Sequence, residues 1–560
     1  MDFIPTQRNR GVSRKRCAVS KNKYVNKKRY VEFRVTAVLA AIVVAGIMPA
    51  PLRAQTVSIA PASMPRIGAV DERFQSFNVE MLEVTGGNFW KPYGKENAAA
   101  PNPQLPATKS SASVPAGMDP GMYQYRPPID LTNPRLRKLA AALGPSYMRV
   151  SGTWANNTYF HDSDAPAPTT PPPGFNGVLT REQWKGVVDF STAVDGRIVT
   201  SFATSPGTRD AAGVWTPVEA RKFLAYTKSI GGSIAATEYM NEPTYAAMGG
   251  APKGYDAAAY GRDVAIFGPF IKQAAPGIIF LGPGSVGEGG VFPIALGGGM
   301  LSSVDLLKAT GPVFDVFSFH FYGAASNRCA SMMPSATTTA EAAVSEGWFS
   351  SADSVEKFYA DLRDKYEPGK LLWITEMADA ACGGNRWAST FLDTFRYLDQ
   401  HARLAQRGVQ VIIHNTLASS DYGLLDENTF KPRPNYWAAL LWRRLMDTTV
   451  LDPGPSPAPN LHLYAQCLRD HHGGVALLVI NTDRKASQAL EVPTTSDRYT
   501  LTAKDLLDTT VQMNGTELNA SSDGDLPPIN GDPIRSGKVV FAPTSITFLG
   551  IPNARNSSCH

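Results

Sequence analysis

The feature of this sequence that most constrains its fold is an alternation, between about residues 74 and 445, of short apolar runs with longer helical stretches. Several runs are continuously apolar, as strands buried on both faces are. The helical stretch 216–230 stops at a glycine pair and the stretch 386–406 stops before Gly408, and glycine commonly ends helices. Eight such units predict an α/β fold, a (β/α)8 TIM barrel whose active site lies at the carboxyl ends of its strands. The predicted strands are residues 76–82, 146–150, 197–203, 234–240, 278–282, 313–321, 371–376 and 410–417.

The remainder of the chain predicts a second domain, because 560 residues exceed the length of one ordinary domain. Beyond Pro453 the helical periodicity fades, and short runs at 461–467, 475–481 and 545–549 are separated by turn residues. That pattern is typical of a β-sandwich. We expect a barrel over residues 70–445 and a C-terminal β-sandwich over 446–560, joined by a strand from 55–69. Residues 97–128 and 165–174, which are rich in proline, are expected to be surface loops.

The first 54 residues read as an export leader. They hold 12 of the 54 Lys/Arg and 2 of the 49 Asp/Glu, which leaves 42 basic and 47 acidic residues, a net charge of −5, on residues 55–560. A basic stretch precedes an apolar run of about 14 residues, which is short for a bilayer span. We therefore predict a cleaved signal and a secreted or periplasmic protein, with membrane association only if the leader is retained. The acidic body argues against a general polyanion-binding surface and against nucleic acid as a partner.

Four cysteines remain after the leader, and they permit two disulfides or free buried thiols. They are Cys329, Cys382, Cys467 and Cys559, and four thiols allow three pairings. No cysteine or histidine cluster has the spacing of a metal site, and no glycine-rich nucleotide fingerprint stands on a strand–helix turn. The sequence therefore predicts neither a metal nor a cofactor.

Two carboxylates stand at the ends of predicted strands on opposite parts of the barrel. The fourth strand is followed by Asn241-Glu242-Pro243, and the seventh ends at Glu376. Retaining glycoside hydrolases hold a general acid/base and a nucleophilic carboxylate ~5–5.5 Å apart. We assign Glu242 as the acid/base and Glu376 as the nucleophile, whose charge would raise the pKa of Glu242. Asn241 is expected beside the 2-hydroxyl of the sugar. The alternative is that both carboxylates only make structural hydrogen bonds.

Four further polar residues stand at or near predicted strand ends. Each has a functional interpretation and a structural one. His320 and Tyr322, at the end of the sixth strand, could orient Glu376 or bind sugar, or could be core residues. Glu80 ends the first predicted strand and could contact a sugar hydroxyl or be structural. Glu238 shares the strand face of Glu242 one pleat deeper, and we interpret it as a buried structural acid.

Several longer motifs resemble the heparanase-like β-glucuronidase family, glycoside hydrolase family 79. They include Met-Arg-Val-Ser-Gly-Thr at 148–153, Ser-Phe-His-Phe-Tyr at 318–322, Asp-Tyr-Gly-Leu-Leu-Asp-Glu at 421–427 and Val-Gln-Met-Asn-Gly at 511–515. The resemblance covers the chain from about residue 70 to its C-terminus. It implies the same roles for Glu242 and Glu376, and a substrate containing glucuronic acid.

The resemblance also implies roles for residues that the pattern of strands leaves undefined. The glucuronate carboxylate would be bound by backbone N–H groups of Gly383 and Gly384 together with Tyr422. Glu80 and Thr153 would contact the sugar, and Tyr322 would lie beside the nucleophile. Cys467 and Cys559 match a pair that ties the first strand of the sandwich to the C-terminus. We add a second disulfide, Cys329 with Cys382, which would brace the carboxylate-binding loop.

Two departures from the family bear on the substrate. The long linker that vertebrate heparanases excise is replaced by the short loop 165–174, which predicts a single-chain enzyme, expected to be a monomer. The loops near Asp164 and Gly250 lack clusters of Lys and Arg. We therefore favour an exo-β-glucuronidase over an endo-β-glucuronidase of the heparanase or hyaluronidase kind. A carbohydrate-binding barrel without activity is the non-enzymatic alternative.

Overall fold

A computed structural model describes residues 57–93, 114–115, 118–290 and 300–560. The predicted leader, residues 1–54, lies outside the described residues, as does most of the predicted loop 97–128. The described strands are β1 (Val57–Ser58), β2 (Arg66–Ala69), β3 (Gln75–Asn78), β4 (Gly87–Trp90), β5 (Tyr123–Arg126), β6 (Ser146–Val150), β7 (Thr158–His161), β8 (Gly177–Thr180), β9 (Gly196–Ser201), β10 (Ile234–Glu238), β11 (Ile279–Ser285), β12 (Val316–Ala325), β13 (Leu371–Ala381), β14 (Val409–His414), β15 (Met446–Leu451), β16 (Leu461–Leu468), β17 (Val475–Asn481), β18 (Gln488–Val492), β19 (Ser496–Thr502), β20 (Gln512–Met513), β21 (Thr516–Glu517), β22 (Asp532–Ile534), β23 (Gly537–Phe541) and β24 (Ser545–Ile551).

The described helices connect these strands. They are α1 (Met81–Thr85), α2 (Pro134–Ala141), α3 (Arg181–Ala193), α4 (Val218–Ser229), α5 (Ala257–Ala274), α6 (Ser303–Thr310), α7 (Glu346–Phe349), α8 (Ser351–Tyr366), α9 (Phe391–Gln406) and α10 (Pro434–Leu445). Within residues 57–93, 118–290 and 300–560, none of them combines the length and the apolar character needed to cross a bilayer.

Eight parallel strands close into a barrel in the order β3, β6, β9, β10, β11, β12, β13, β14 and back to β3. Each coincides with one of the eight predicted apolar runs, so the predicted (β/α)8 barrel is confirmed. Helices such as α3 and α9 cover the barrel with large apolar side chains, among them the fully buried Trp184 and Phe395. The carboxyl ends of the eight strands therefore open onto one face, where loops of different strands meet.

Four predicted boundaries are wrong by four or five residues. The first strand ends at Asn78 rather than at residue 82, because the Glu83 carboxylate accepts the N–H of Glu80 at 2.8 Å and begins α1 there. The sixth and seventh strands extend to Ala325 and Ala381, since they keep pairing with each other beyond the barrel. Helix α9 begins at Phe391 rather than at residue 386. Apolar content alone does not mark such ends, which depend on side-chain caps and on a neighbouring strand.

The C-terminal region forms a second β structure. One sheet runs β2-β15-β16-β17-β24-β19-β20-β21, and a smaller sheet runs β1-β18-β23. Apolar residues of both sheets, such as Leu477 and Phe541, form one buried cluster between them, as in a sandwich. Strand β2 precedes the barrel in the chain but pairs with β15. The residues from Val57 onwards belong to one compact unit, so the domain boundary at 445/446 stays a prediction.

Both predicted disulfides are confirmed. Cys467 in β16 is bonded to Cys559 near the C-terminus. Cys329 is bonded to Cys382, which joins the loops that follow β12 and β13. The second bridge lies at the carboxyl-end face of the barrel, because those two strands are neighbours there.

Candidate active site

The two predicted catalytic carboxylates face one pocket at the carboxyl-end face of the barrel. Glu242 follows β10 in the left-handed region, with φ of 48°, at the start of the turn Pro243–Tyr245. Glu376 lies within β13 and is 6% exposed. An oxygen of Glu242 lies within 4.8 Å of an oxygen of Glu376. The barrel thus brings together two carboxylates that are 134 positions apart in the sequence.

A buried guanidinium, that of Arg149 on β6, organises the floor of this pocket. Its Nη1 donates to Glu376 at 2.9 Å and to Asn78 at 3.1 Å. Its Nη2 donates to Glu238 at 2.9 Å and to the side-chain oxygen of Asn241 at 2.7 Å. The contact with Nη1 holds the Glu376 carboxylate in a buried ion pair with Arg149. Arg149 was assigned no role from the sequence, although it stands in the motif at 148–153.

Glu238 is a structural acid in this arrangement, as its position one pleat deeper suggested. It is buried, and it accepts hydrogen bonds from Arg149, from Ser318 at 3.0 Å and from Thr375 at 2.6 Å. Burial would raise the pKa of Glu238, but the charge of Arg149, the nearby His320 and these hydrogen bonds outweigh it and lower the pKa below its ordinary value. Glu238 therefore remains ionised as the counter-charge that holds Arg149 in place.

His320 on β12 connects Arg149 with the acid/base candidate. Its Nε2 lies 3.3 Å from the Arg149 guanidinium and its Nδ1 lies 3.0 Å from Glu242. Since the guanidinium can only donate, Nε2 accepts, and the neutral ring must then carry its proton on Nδ1 and donate to Glu242. This contact orients Glu242. Of the two carboxylates, Glu242 is the closer to His320, since a Glu376 oxygen lies 3.8 Å from the same Nδ1.

The pKa of Glu242 is raised above its ordinary value. Burial is the largest cause, and the nearby charge of Glu376 acts in the same direction, while the hydrogen bond from His320 opposes both. Glu376 has Arg149 as a direct partner at 2.9 Å and Glu242 does not. The two carboxylates therefore differ in environment, which suits one to give a proton and the other to attack.

A hydrogen-bonded network holds the other side of Glu376. The Tyr322 hydroxyl donates to one Glu376 oxygen. The amide nitrogen of Asn415 lies 3.4 Å from the same oxygen, and it donates to the hydroxyls of Tyr322 at 3.0 Å and Tyr422 at 3.1 Å. Tyr322, Asn415 and Tyr422 all line the pocket. Asn415 was not predicted from the sequence, although its position directly after β14 is the signal that could have identified it.

Glu80 and Thr153 also line the pocket. Glu80 lies at the start of α1 rather than on a strand, and one of its oxygens is buried without a hydrogen-bond partner among the described residues. Burial, and then the charge of Glu376, raise the pKa of Glu80 well above its ordinary value. A neutral Glu80 could donate a hydrogen bond into the pocket. Gly152 permits this arrangement, because a Cβ there would lie 1.7 Å from the Glu80 carboxylate.

The glycine pair predicted to bind a carboxylate lies at the edge of the pocket. Gly383 and Gly384 both have φ of 82°, and Cys382 beside them lines the pocket while they do not. The N–H of Gly384 donates to the carbonyl of Ala380 at 3.2 Å, so it is already engaged. The carbonyl of Gly383 accepts from Ser420 at 3.0 Å. Their predicted role in binding the substrate carboxylate stays a prediction.

Glu242, His320 and Glu376 have the donor types of a metal site, and one atom of each lies within 4.8 Å of the others. The same Glu376 side chain is already paired with Arg149 at 2.9 Å. A cation placed among the three would therefore be close to a fixed guanidinium charge. The arrangement fits proton transfer and nucleophilic attack by carboxylates better than it fits a cation site.

The chain is similar to several known glycoside hydrolases and heparanase-like proteins. The model of the N-terminal domain of glycosyl hydrolase family 79 matches residues 128–402. Heparanase-like protein 1 of Arabidopsis thaliana is 26% identical over 77% of this chain and 86% of its own length. Baicalin-beta-D-glucuronidase of Scutellaria baicalensis is 30% identical over 32% of this chain and 36% of its own length. A 4-O-alpha-L-rhamnosyl-beta-D-glucuronidase from Fusarium oxysporum shares the fold, with a TM-score of 0.58, 13% identity and coverage of 89% of this chain and 100% of that one.

Proposed function

The chain belongs to glycosyl hydrolase family 79 and is a glycosidase, and from this we propose that it is a retaining exo-β-glucuronidase. The observation that carries the retaining mechanism is that one oxygen of Glu242 and one oxygen of Glu376 lie within 4.8 Å of each other. Inverting enzymes leave ~6.5–9.5 Å between their carboxyl groups, since a water must fit between carboxylate and sugar. The spacing therefore favours direct attack by one carboxylate.

In the proposed reaction, a Glu376 oxygen attacks the anomeric carbon and forms a glycosyl ester, while the bond to the leaving oxygen breaks. Glu242 gives its proton to that oxygen. In the second step Glu242 takes a proton from water, the water oxygen bonds to the anomeric carbon, and Glu376 is released as a carboxylate. Because Arg149 binds the side-chain oxygen of Asn241, the Asn241 amide nitrogen remains to donate to the 2-hydroxyl.

Glucuronides are proposed as substrates on two grounds. One matched relative is a baicalin-beta-D-glucuronidase, and others are heparanase-like proteins. Within the pocket, the Tyr422 hydroxyl accepts from Asn415 and keeps its own proton to donate. Burial raises the pKa of Glu80 well above its ordinary value, which favours the uncharged form that can donate. Such groups can bind sugar hydroxyls and a carboxylate without a buried cation. Gly383 and Tyr422 are the proposed carboxylate ligands.

Purified protein incubated with 4-methylumbelliferyl β-glucuronide, the matching β-glucoside, heparan sulfate and hyaluronan tests the proposal. We expect release of 4-methylumbelliferone from the glucuronide alone, with no rapid shortening of either polymer in size-exclusion profiles. Rapid shortening would indicate an endo-acting enzyme. The absence of turnover of every β-glucuronide would contradict the proposed function.

Export to an oxidising compartment is proposed as well, with the protein secreted or periplasmic. The two disulfides, Cys329–Cys382 and Cys467–Cys559, are stable in such compartments and rare in a reducing cytosol. The sequence of residues 1–54 supports the same proposal. N-terminal sequencing of the exported protein, with Gln55 as the expected first residue, tests it.

Replacing His320 with phenylalanine is expected to move the alkaline limb of the kcat/KM profile to higher pH. The substitution removes the hydrogen bond that lowers the pKa of Glu242 and leaves burial and Glu376, which raise it. Since Glu242 must be protonated to act as the acid, activity should persist to higher pH. A pH–rate series on 4-methylumbelliferyl β-glucuronide measures the shift. A limb that moves to lower pH would contradict the contact between His320 and Glu242.

Removing the disulfide Cys329–Cys382 by two serine substitutions is expected to affect both stability and substrate binding. The bridge closes a separation of 53 residues, and its loss should lower the free energy of unfolding by about 4 kcal/mol. Because Cys382 lines the pocket beside Gly383, KM should rise. The matched control removes Cys467–Cys559, which lies in the sandwich; it should lower Tm and leave KM unchanged. Equal KM in both variants would show that the first bridge does not brace the pocket.

A further inference from the structure

The pocket has a polar floor and an apolar wall. The polar side chains are those of the catalytic centre and of Glu80, Thr153, Asn415, Tyr322 and Tyr422. The wall consists mainly of large apolar and aromatic residues: Trp154, Tyr245, Met248, Val286, Met118 and Met333. Among the described residues that line the pocket, the charged types are limited to the three glutamates 80, 242 and 376. The pocket can therefore take a ligand that is polar at one end and apolar at the other.

Part of this wall is attached to the acid/base residue. Tyr245 and Met248 follow Glu242 directly in the chain, after the turn Pro243–Tyr245. Val286 is joined to the same turn, because the Thr244 hydroxyl lies 3.0 Å from the Val286 carbonyl and 3.1 Å from its N–H. Tyr245, Val286 and Met333 belong to one buried apolar cluster, and Met248 packs against it.

The position of this wall identifies the part of the substrate that it contacts. A general acid protonates the oxygen of the leaving group, so the leaving group must lie on the Glu242 side of the anomeric carbon. Pocket-lining residues on the turn that follows Glu242, or bonded to that turn, therefore face the aglycone rather than the glucuronate. We define Tyr245, Met248 and Val286 as the aglycone wall.

We propose that the aglycone wall binds a planar aromatic aglycone, so that the substrates are aryl β-glucuronides rather than sulfated or uronate-containing polysaccharides. This inference rests on the proposed function and specifies its substrate class. Methionine adapts to flat rings and makes favourable sulfur–aromatic contacts, and burial of an aromatic ring contributes a large apolar area.

The charges of the described lining disfavour a polyanion at the same place. A sulfated or uronate residue next to the cleaved bond would add negative charge close to Glu242 and Glu376, with no lysine, arginine or histidine among the described lining residues to neutralise it. Arg328, on the segment after β12, does not line the pocket. Its guanidinium is already paired with Asp421 and stacked over the Tyr93 ring at 3.8 Å. An uncharged ring avoids this repulsion.

Competitive inhibition by two thioglycosides tests the proposal without the influence of leaving-group reactivity. Phenyl 1-thio-β-D-glucuronide and methyl 1-thio-β-D-glucuronide share the glucuronate and differ only in the aglycone. We expect the phenyl compound to have an inhibition constant at least about tenfold lower than the methyl compound, as burial of a ring predicts. Equal constants would overturn the proposal, as would stronger inhibition by a heparan-sulfate tetrasaccharide than by the phenyl compound.

Two variants locate the effect. Met248→Ser should reduce the phenyl-to-methyl preference several-fold, because it weakens inhibition by the phenyl compound more than inhibition by the methyl compound. Met332→Ser is the matched control, because Met332 packs against the same cluster without lining the pocket; the preference should survive. If both variants keep the preference, the aglycone wall is wrongly placed.

The failure of this inference differs from the failure of the proposed function. If no β-glucuronide is hydrolysed at all, the proposed function fails. Normal turnover of 4-methylumbelliferyl β-glucuronide with equal inhibition constants would rule out only the aromatic subsite.

Discussion

Replacing Glu376 with glycine is expected to lower kcat/KM for 4-methylumbelliferyl β-glucuronide by on the order of 10,000-fold, because the attacking oxygen is lost. The substitution also leaves space beside Arg149, whose Nη1 contacts Glu376 at 2.9 Å. A small anion such as azide can enter that space and attack the anomeric carbon directly. The product should be the α-glucuronyl azide, with partial recovery of 4-methylumbelliferone release. Fluorescence assays and NMR of the product measure both.

Replacing Glu242 with alanine is the matched control for that prediction. The glycosyl ester still forms when the leaving group is a good one, and azide then attacks the ester from the opposite face. The product should be the β-glucuronyl azide. The same anomer from both variants would contradict the assignment of Glu376 as nucleophile and Glu242 as acid/base. Inversion of configuration by the unmodified enzyme would contradict the retaining mechanism altogether.

Replacing Arg149 with methionine is expected to lower the free energy of unfolding by about 3–5 kcal/mol at pH 7. The guanidinium is buried and pairs with Glu238 and Glu376, both at 2.9 Å. Without it, Glu238 is a buried carboxylate that has lost its counter-charge. Denaturant unfolding followed by fluorescence measures the loss. Lys357→Met, which breaks the exposed pair of Lys357 and Asp361, is the control and should change stability by less than about 1 kcal/mol.

The penalty for losing Arg149 should depend on pH in one direction. In the unmodified protein the pKa of Glu238 is lowered, since Arg149 and the hydrogen bonds outweigh burial. In the variant burial dominates, and the pKa of Glu238 in the folded state rises above its value in the unfolded chain. A carboxyl group whose pKa is higher in the folded than in the unfolded state lowers the stability as the pH rises above its pKa in the unfolded chain. The penalty for losing Arg149 should therefore be larger at pH 7 than at pH 4. Adding Glu238→Gln should recover part of the loss at pH 7. A penalty that grows as the pH falls would show that Glu238 is not the group left unpaired.

The barrel and its two carboxylates could be predicted from local information. Continuous apolar runs separated by helical stretches show parallel strands buried on both faces, and Glu242 and Glu376 stand where such strands end. Some boundaries could not be predicted in this way, because they depend on partners distant in sequence. Glu80 begins a helix through Glu83, and β13 extends to Ala381 because β12 lies beside it.

Sequence by itself determined the covalent order of strands, helices, cysteines and strand-end acids, and this was enough for the fold class and for the choice of the two carboxylates. The cysteine pairing needed more, because four thiols allow three pairings: the resemblance to family 79 implied one bridge, and the adjacency of the sixth and seventh strands suggested the other. Only the tertiary structure decided that Arg149 joins Asn78, Asn241, Glu238 and Glu376, and that Asn415 lies between Glu376 and the tyrosines. The physical reason is the range of the interactions. Hydrophobic periodicity is repeated along a strand and is visible in any short window, whereas a hydrogen bond of about 3 Å forms only when barrel closure and register bring single atoms from different strands together.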